Sequence, residues 1–164
     1  MVQEGDDKVV NRSIGQAQRQ VWLAALAHAN ADTLASFAKA YSHIWVDDLR
    51  APEVGLVMLR SRIGGSGDRF NLAEATVTRC VVRCAGDPEP TVGVGYVLGR
   101  DVGRCKAMAL FDALLQQPAH HDLVWREVIG PLAARTAQQR AAAAADTARS
   151  RVRFSTLQPE APAS

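Results

Sequence analysis

The chain has 164 residues, with 19 Lys plus Arg against 17 Asp plus Glu, four His, three Cys, 48% apolar residues and 22% charged ones. This is enough to bury the core of one globular domain. It is too apolar for a disordered chain and, at a net charge of +2, too nearly neutral for a polycationic nucleic-acid binder. No apolar run nears the ~20 residues of a bilayer span. Met1 to Val10 carries Glu4, Asp6 and Asp7 with no hydrophobic stretch behind it, so neither a signal peptide nor a membrane anchor is expected.

Residues 1–12 read as a flexible tail, followed by a single domain over 13–156 and a second flexible tail over 157–164. Ser13 is a fair N-cap for a helix over 14–30, where Ile14, Ala17, Val21, Ala24 and Ala25 recur at helical spacing. Asp32 is expected to cap a short second helix carrying Leu34, Phe37, Ala38 and Tyr41. From Ile44 the period becomes two, with β-branched residues and turn residues between runs. Strands are expected at 44–50, 54–63, 70–84 and 92–100, the third with a break near Ala73-Glu74. They are joined at Ala51-Pro52, at Gly64 to Gly67 and at Gly86 to Pro90. Such short connections favour hairpins over crossovers.

Asp101 is a good N-cap for a helix whose Met108, Leu110, Phe111, Leu114 and Leu115 form a broad apolar face. Another is expected from Asp122 to Gly130, and a last one from Pro131 to about Ser150. The expected class is therefore α+β: an antiparallel meander of about four strands packed against N-terminal and C-terminal helices. The last helix has no large apolar residue after Leu132 until Val152. It is either a solvent-facing helix or, through its alanines, one that another helix approaches closely. Val152, Phe154 and Leu157 form a short β-like segment.

Cys80 and Cys84, four apart in a strand, have Cα atoms roughly 13 Å apart, beyond disulfide reach. With Cys105 alone and no Cys-x-x-Cys pair, all three are expected as free thiols in a cytoplasmic protein. The glycine-rich stretch Gly64 to Gly67 lacks the Lys-Ser/Thr ending and the following helix of a phosphate loop, so it reads as a hairpin turn. Arg60 and Arg62 share one strand face, Arg79 and Arg83 share another, and Arg69 and Arg100 sit near strand ends. Arg62, Arg69, Arg79, Arg83 and Arg100 are thus candidates for anion binding or an interface, with a solvated face as the plain alternative. Gly93, Gly95 and Gly99 lie on one side of the fourth strand, where missing side chains either let a helix of the same chain pack close, the favoured reading, or relax the strand into a bulge. His120-His121-Asp122 is expected in a loop before a helix that Asp122 caps, where a metal site is improbable. No nucleophile elbow or His-Glu-x-x-His pair occurs, and no catalytic residue is named from the residues alone.

An ordered series of segments does carry a resemblance. Glu53 to Val57, Arg62 to Phe70, Ala75 to Arg79, Gly99-Arg100-Asp101 with Asp112-Ala113-Leu114, and Arg151 to Thr156 resemble the PhnG subunits of bacterial carbon-phosphorus lyase systems over about residues 16–156. Ser155 departs from the family, which commonly has a second aromatic there. The resemblance implies a cytoplasmic assembly with PhnI, PhnH and PhnJ, and functional dependence on PhnL. With the H, I and L proteins, such a subunit is required to join a phosphonate to the ribose of ATP with loss of adenine. It places the nucleosidase chemistry on the I subunit. It implies no cofactor bound by this chain, ATP being a substrate of the assembly. The residues alone leave a different class open: a free-standing phosphate- or phosphonate-binding module using a sheet-face arginine cluster.

Overall fold

A computed structural model describes residues 4–63, 67–86 and 89–150, the stretch 4–14 by its backbone alone. The element order is α1 (Glu4–His28), α2 (Ala31–Ala40), β1 (Val46–Arg62), β2 (Arg69–Cys84), β3 (Thr91–Leu98), α3 (Val102–Leu115), α4 (Pro118–Val124), a π-turn (Trp125–Ile129) and α5 (Gly130–Arg149). The fold is α+β, with one antiparallel sheet ordered β1-β2-β3.

The strands expected at 44–50 and 54–63 are one strand, so the meander has three. The register of β1 against β2 slips between Asp48 and Arg50 and again between Arg50 and Glu53, so Ala51-Pro52 is a bulge rather than a turn. An edge strand tolerates proline at such a place because the missing N–H breaks no ladder bond. β2 runs unbroken past Ala73-Glu74; its irregularity is Leu72, which has no partner between the pairs Leu59↔Ala73 and Arg60↔Asn71. β1 and β2 stay paired as far as Arg62↔Arg69, and the Gly67 N–H donates to the Ile63 carbonyl at 2.9 Å.

One sheet face carries the core. Along β2, Thr78, Cys80, Val82 and Cys84 are buried while Arg79 and Arg83 between them are exposed. Opposite Cys80 and Val82 stand Gly95 and Gly93 of β3. A Cβ on Gly93 would lie 1.9 Å from the Ala109 carbonyl oxygen, and one on Gly95 2.1 Å from that of Cys105. The glycines therefore let α3 lie directly on β3, the close helix packing expected of them. Gly99 acts differently: it lies past the strand end with φ +92° and open space at its Cβ position. The core side of α3 brings Phe111, Leu114 and Leu115 against Leu26 of α1, Leu34 of α2 and Val128 and Ile129 of the π-turn.

Three helix boundaries differ from expectation. α1 begins at Glu4 rather than after Ser13. α2 is capped by Asn30, whose side chain accepts from the Asp32 N–H, rather than by Asp32. The helix expected from Asp122 to Gly130 begins at Pro118 and does not stop at Gly130; it runs through the π-turn into α5. Pro131 has no N–H to give and its ring crowds the preceding turn. The π-turn, in which the Gly130 N–H reaches back to the Trp125 carbonyl, absorbs the proline without breaking the helix. Asp101 caps α3 as expected, accepting from the Arg104 N–H at 2.9 Å. From Ala137 to Ser150 every residue of α5 is exposed. The β-like segment at Val152 to Leu157 and the tail at 157–164 lie outside the described residues.

Candidate functional site

The molecule is pinned from within by one carboxylate. Asp112 of α3 is fully buried and accepts from Arg19 Nε at 3.1 Å and Nη2 at 2.6 Å, from Trp22 Nε1 at 2.9 Å, and from the Val94 N–H of β3 at 2.9 Å. Each carboxylate oxygen thus has two donors, which joins α1, α3 and β3 and leaves nothing for a ligand. At the far end of β3, Thr78 Oγ1 donates to the Gly99 carbonyl at 2.7 Å, and the Gly99 N–H donates to Thr76 at 2.9 Å. These bonds mark where β2 loses its third strand: β3 pairs only as far as Val77↔Leu98.

Beyond that point β1 and β2 continue as a two-stranded ribbon. Every residue from Arg69 to Glu74 is exposed, as are Val54, Gly55, Leu56, Met58, Leu59, Arg60, Arg62 and Ile63. Cross-strand pairing assigns the faces. Val54, Leu56 and Met58, opposite Thr78, Thr76 and Glu74, continue the core side of the sheet past the helices, while Phe70, opposite Ser61, lies on the other face with Leu59. Arg60, Arg62 and Arg69 follow Met58 on the core-side face near the tip, with Arg62 paired directly to Arg69, because the extra residue Leu72 shifts the alternation of β2 and not that of β1.

The five candidate arginines therefore do not form one cluster. Arg62 and Arg69 meet at the ribbon tip, where Arg62 Nη1 donates to the Gly67 carbonyl at 3.1 Å. Arg79 and Arg83 share the outer face nearer the body, and each is already engaged, Arg79 by Glu53 and Arg83 by Asp47 at 2.7 Å. Ten residues separate Arg69 from Arg79 on one strand, roughly 30 Å, so no single phosphate spans them. Arg100 lies in the turn between β3 and α3.

Two other arginines, Arg104 and Arg135, converge on a recess of about 250 Å³ lined also by His28, Asn30, Thr136 and Gln139, with Ala29 and Leu132. No carboxylate lines it. Arg104 Nη2 donates to the Leu98 carbonyl at 2.8 Å, but its buried Nε has no hydrogen-bond partner. Residues from α1, α3 and α5 meet here, a juxtaposition with no signal in local sequence. A second, apolar recess of about 520 Å³ lies between α2, β1 and α3, with the Lys106–Asp48 ion pair at 2.7 Å among its lining.

His120-His121-Asp122 lies in helix α4, not in a loop. His121 is a structural group: Nδ1 lies 2.6 Å from the Leu115 carbonyl and so carries the proton, Nε2 lies 3.2 Å from the Gln18 amide, and the ring stacks on Trp125. The three cysteines are buried free thiols, as expected. Cys80 and Cys105, far apart in sequence, meet with their sulfurs 3.3 Å apart. The Cys105 thiol donates to Cys80, which lowers the Cys80 pKa, and this bond with burial raises that of Cys105. Burial raises that of Cys84. Among the described residues no group of three or more His, Cys, Asp or Glu could hold a metal ion, and no helix is long and apolar enough to cross a membrane.

Residues 17–158 match the family described as phosphonate metabolism protein PhnG. Over 147 residues the chain is 42% identical to the alpha-D-ribose 1-methylphosphonate 5-triphosphate synthase subunit PhnG of Rhizobium meliloti (strain 1021), covering 87% of this chain and 90% of that one. Because the match runs through α1, the ribbon, the glycine-backed α3 and α5 alike, this chain belongs to the PhnG family of phosphonate metabolism proteins.

Proposed function

We propose that this chain is the accessory G subunit of a cytoplasmic alpha-D-ribose 1-methylphosphonate 5-triphosphate synthase, working with the H, I and L proteins and assembling with PhnH, PhnI and PhnJ. In that reaction a phosphonate oxygen bonds to the anomeric carbon of the ATP ribose. The glycosidic bond to adenine breaks, adenine leaves with a proton, and the 5-triphosphate is retained. The observation that carries this reading is the 42% identity to a synthase subunit over nearly the whole of both chains.

The side chains support an accessory role. Displacing a nucleobase calls for a general acid or metal near the base and donors on the developing charge. The most deeply buried carboxylate, Asp112, is spent on four donors of the fold, and His121 is held by Leu115 and Gln18. The purified chain is therefore expected to release no adenine from ATP and methylphosphonate alone, and to raise adenine release when added to the H, I and L proteins, as followed by chromatography. Turnover by the lone chain, or indifference of the mixture to its addition, overturns this.

A second reading, an anion-binding module, is favoured by the recess around Arg104 and Arg135, where the buried Arg104 Nε makes no hydrogen bond and lies 3.9 Å from the Asp101 carboxylate, rather than by the sheet arginines. Calorimetric titration of the isolated chain with methylphosphonate decides it. Salt-sensitive binding that Arg104→Gln abolishes supports the module; no heat of binding removes it.

A further inference from the structure

We propose that Cys80 and Cys105 form a reversible oxidation site, a thiol pair that hydrogen peroxide converts to a disulfide stapling α3 to β2. The site is independent of the subunit reading, since it lies within this chain and needs no other.

Strand pairing and one missing side chain bring the sulfurs together. Cys80 stands on the core side of β2 directly opposite Gly95 of β3, and Cys105 lies in the first turn of α3 above that glycine. A Cβ on Gly95 would sit 2.9 Å from the Cys105 sulfur, so the glycine leaves open the space in which the thiols meet. The sulfurs are 3.3 Å apart, and both residues are fully buried. A disulfide bond measures about 2.05 Å, so closing it takes an approach of roughly 1.3 Å along a contact already made. Cys84 is equally buried but stands roughly 13 Å from Cys80 along the same strand, with no thiol beside it.

The order of events follows from where the shared hydrogen sits. The Cys105 S–H has two acceptors in reach, the Cys80 sulfur at 3.3 Å and the Thr78 carbonyl at 3.4 Å. Donation to Cys80 favours the thiolate there, the form that attacks peroxide. The Cys80 sulfur takes one oxygen from hydrogen peroxide and becomes a sulfenic acid while one water leaves. The Cys105 sulfur then displaces that hydroxyl, and its proton leaves with the hydroxyl as a second water. Two thiols lose two electrons in all, and one peroxide gains them. The apolar recess of about 520 Å³ opens beside the pair: its lining includes Val82, next on the same face of β2, and Gly103, Lys106 and Ala107, which flank Cys105. In a reducing compartment the thiols are the resting state, and a disulfide made there is transient.

The test is peptide mass mapping of the full chain, purified with reductant, freed of it, treated with hydrogen peroxide and then alkylated in denaturant. The expected product is a monomer with Cys80 joined to Cys105 and Cys84 still alkylated, and dithiothreitol returns it to three free thiols. Cys84→Ala should form the link as wild type does, whereas Cys80→Ala and Cys105→Ala should form none. The linked chain is expected to melt roughly 5 °C or more above the reduced one, because the link constrains the unfolded chain. Alkylation of all three cysteines after peroxide, oxidation to sulfinic acids without a link, or a link that forms only in urea overturns the site. A link that lowers the melting temperature overturns the staple, since the native packing must then distort to make it. Should an alanine variant misfold, the wild-type map alone decides.

Discussion

Asp112 shows how much of the fold a single side chain can hold. A fully buried carboxylate is costly unless its charge and lone pairs are met, and here four donors from α1 and β3 meet them. Asp112→Ala would strand Trp22 Nε1 and the Val94 N–H in the interior and leave Arg19 without its partner. The expected loss is about 3 kcal/mol, the lower end for a broken buried pair, because Arg19 is one-third exposed and regains water. A urea denaturation midpoint measures it. Asp112→Asn should cost less, because its one carbonyl still accepts while its amide faces a donor. The sequence marks Asp112 only as one residue of a family-like segment. Arg19 lies 93 positions away, and no local pattern pairs them.

At the scale of elements, the glycines of β3 are the clearest link from composition to packing. Gly95→Ala would put a Cβ 2.1 Å from the Cys105 carbonyl oxygen and 2.9 Å from its sulfur, so β3 and α3 must part. A loss of roughly 3 kcal/mol is expected, at the upper end for overpacking. Gly55→Ala, with nothing within 4 Å, is the control and should leave the midpoint almost unchanged. Urea unfolding of both variants checks this, and equal effects would mean that the helix can shift freely. The close approach was legible because two glycines two residues apart in a strand share a face. Less legible was the continuity of β1 through Ala51-Pro52 and of the helix through Gly130-Pro131. Pro and Gly punctuate sequences, but an edge-strand bulge and a π-turn each accommodate them without ending the element.

At the scale of the whole molecule, stability and function separate in space. Helix packing is concentrated on one sheet face around α3, while the ribbon and the alanine-rich end of α5 are exposed. Antiparallel sheets often leave one face to water, but here part of the apolar face is left too. Such a shape suits a subunit whose surface is completed by neighbours. The expected dependence of adenine release on companion proteins is the readout of that property.

The sequence by itself determined the α+β class, the antiparallel pairing of β1 with β2, the Asp101 cap, the close helix packing at Gly93 and Gly95, and the family. These depend on periodicity, on turn and cap chemistry, and on an ordered series of segments, all of which are local. Only the tertiary structure decided which arginines meet. It separated Arg62 and Arg69 from Arg79, Arg83 and Arg100, neutralised Arg79 and Arg83 with strand carboxylates, and gathered Arg104, Arg135 and His28 into a recess. It also decided that β3 ends at Leu98 while β2 continues beneath it. Strand pairing and helix cover are set by contacts across the whole chain, so where the core stops is a property of the assembled fold.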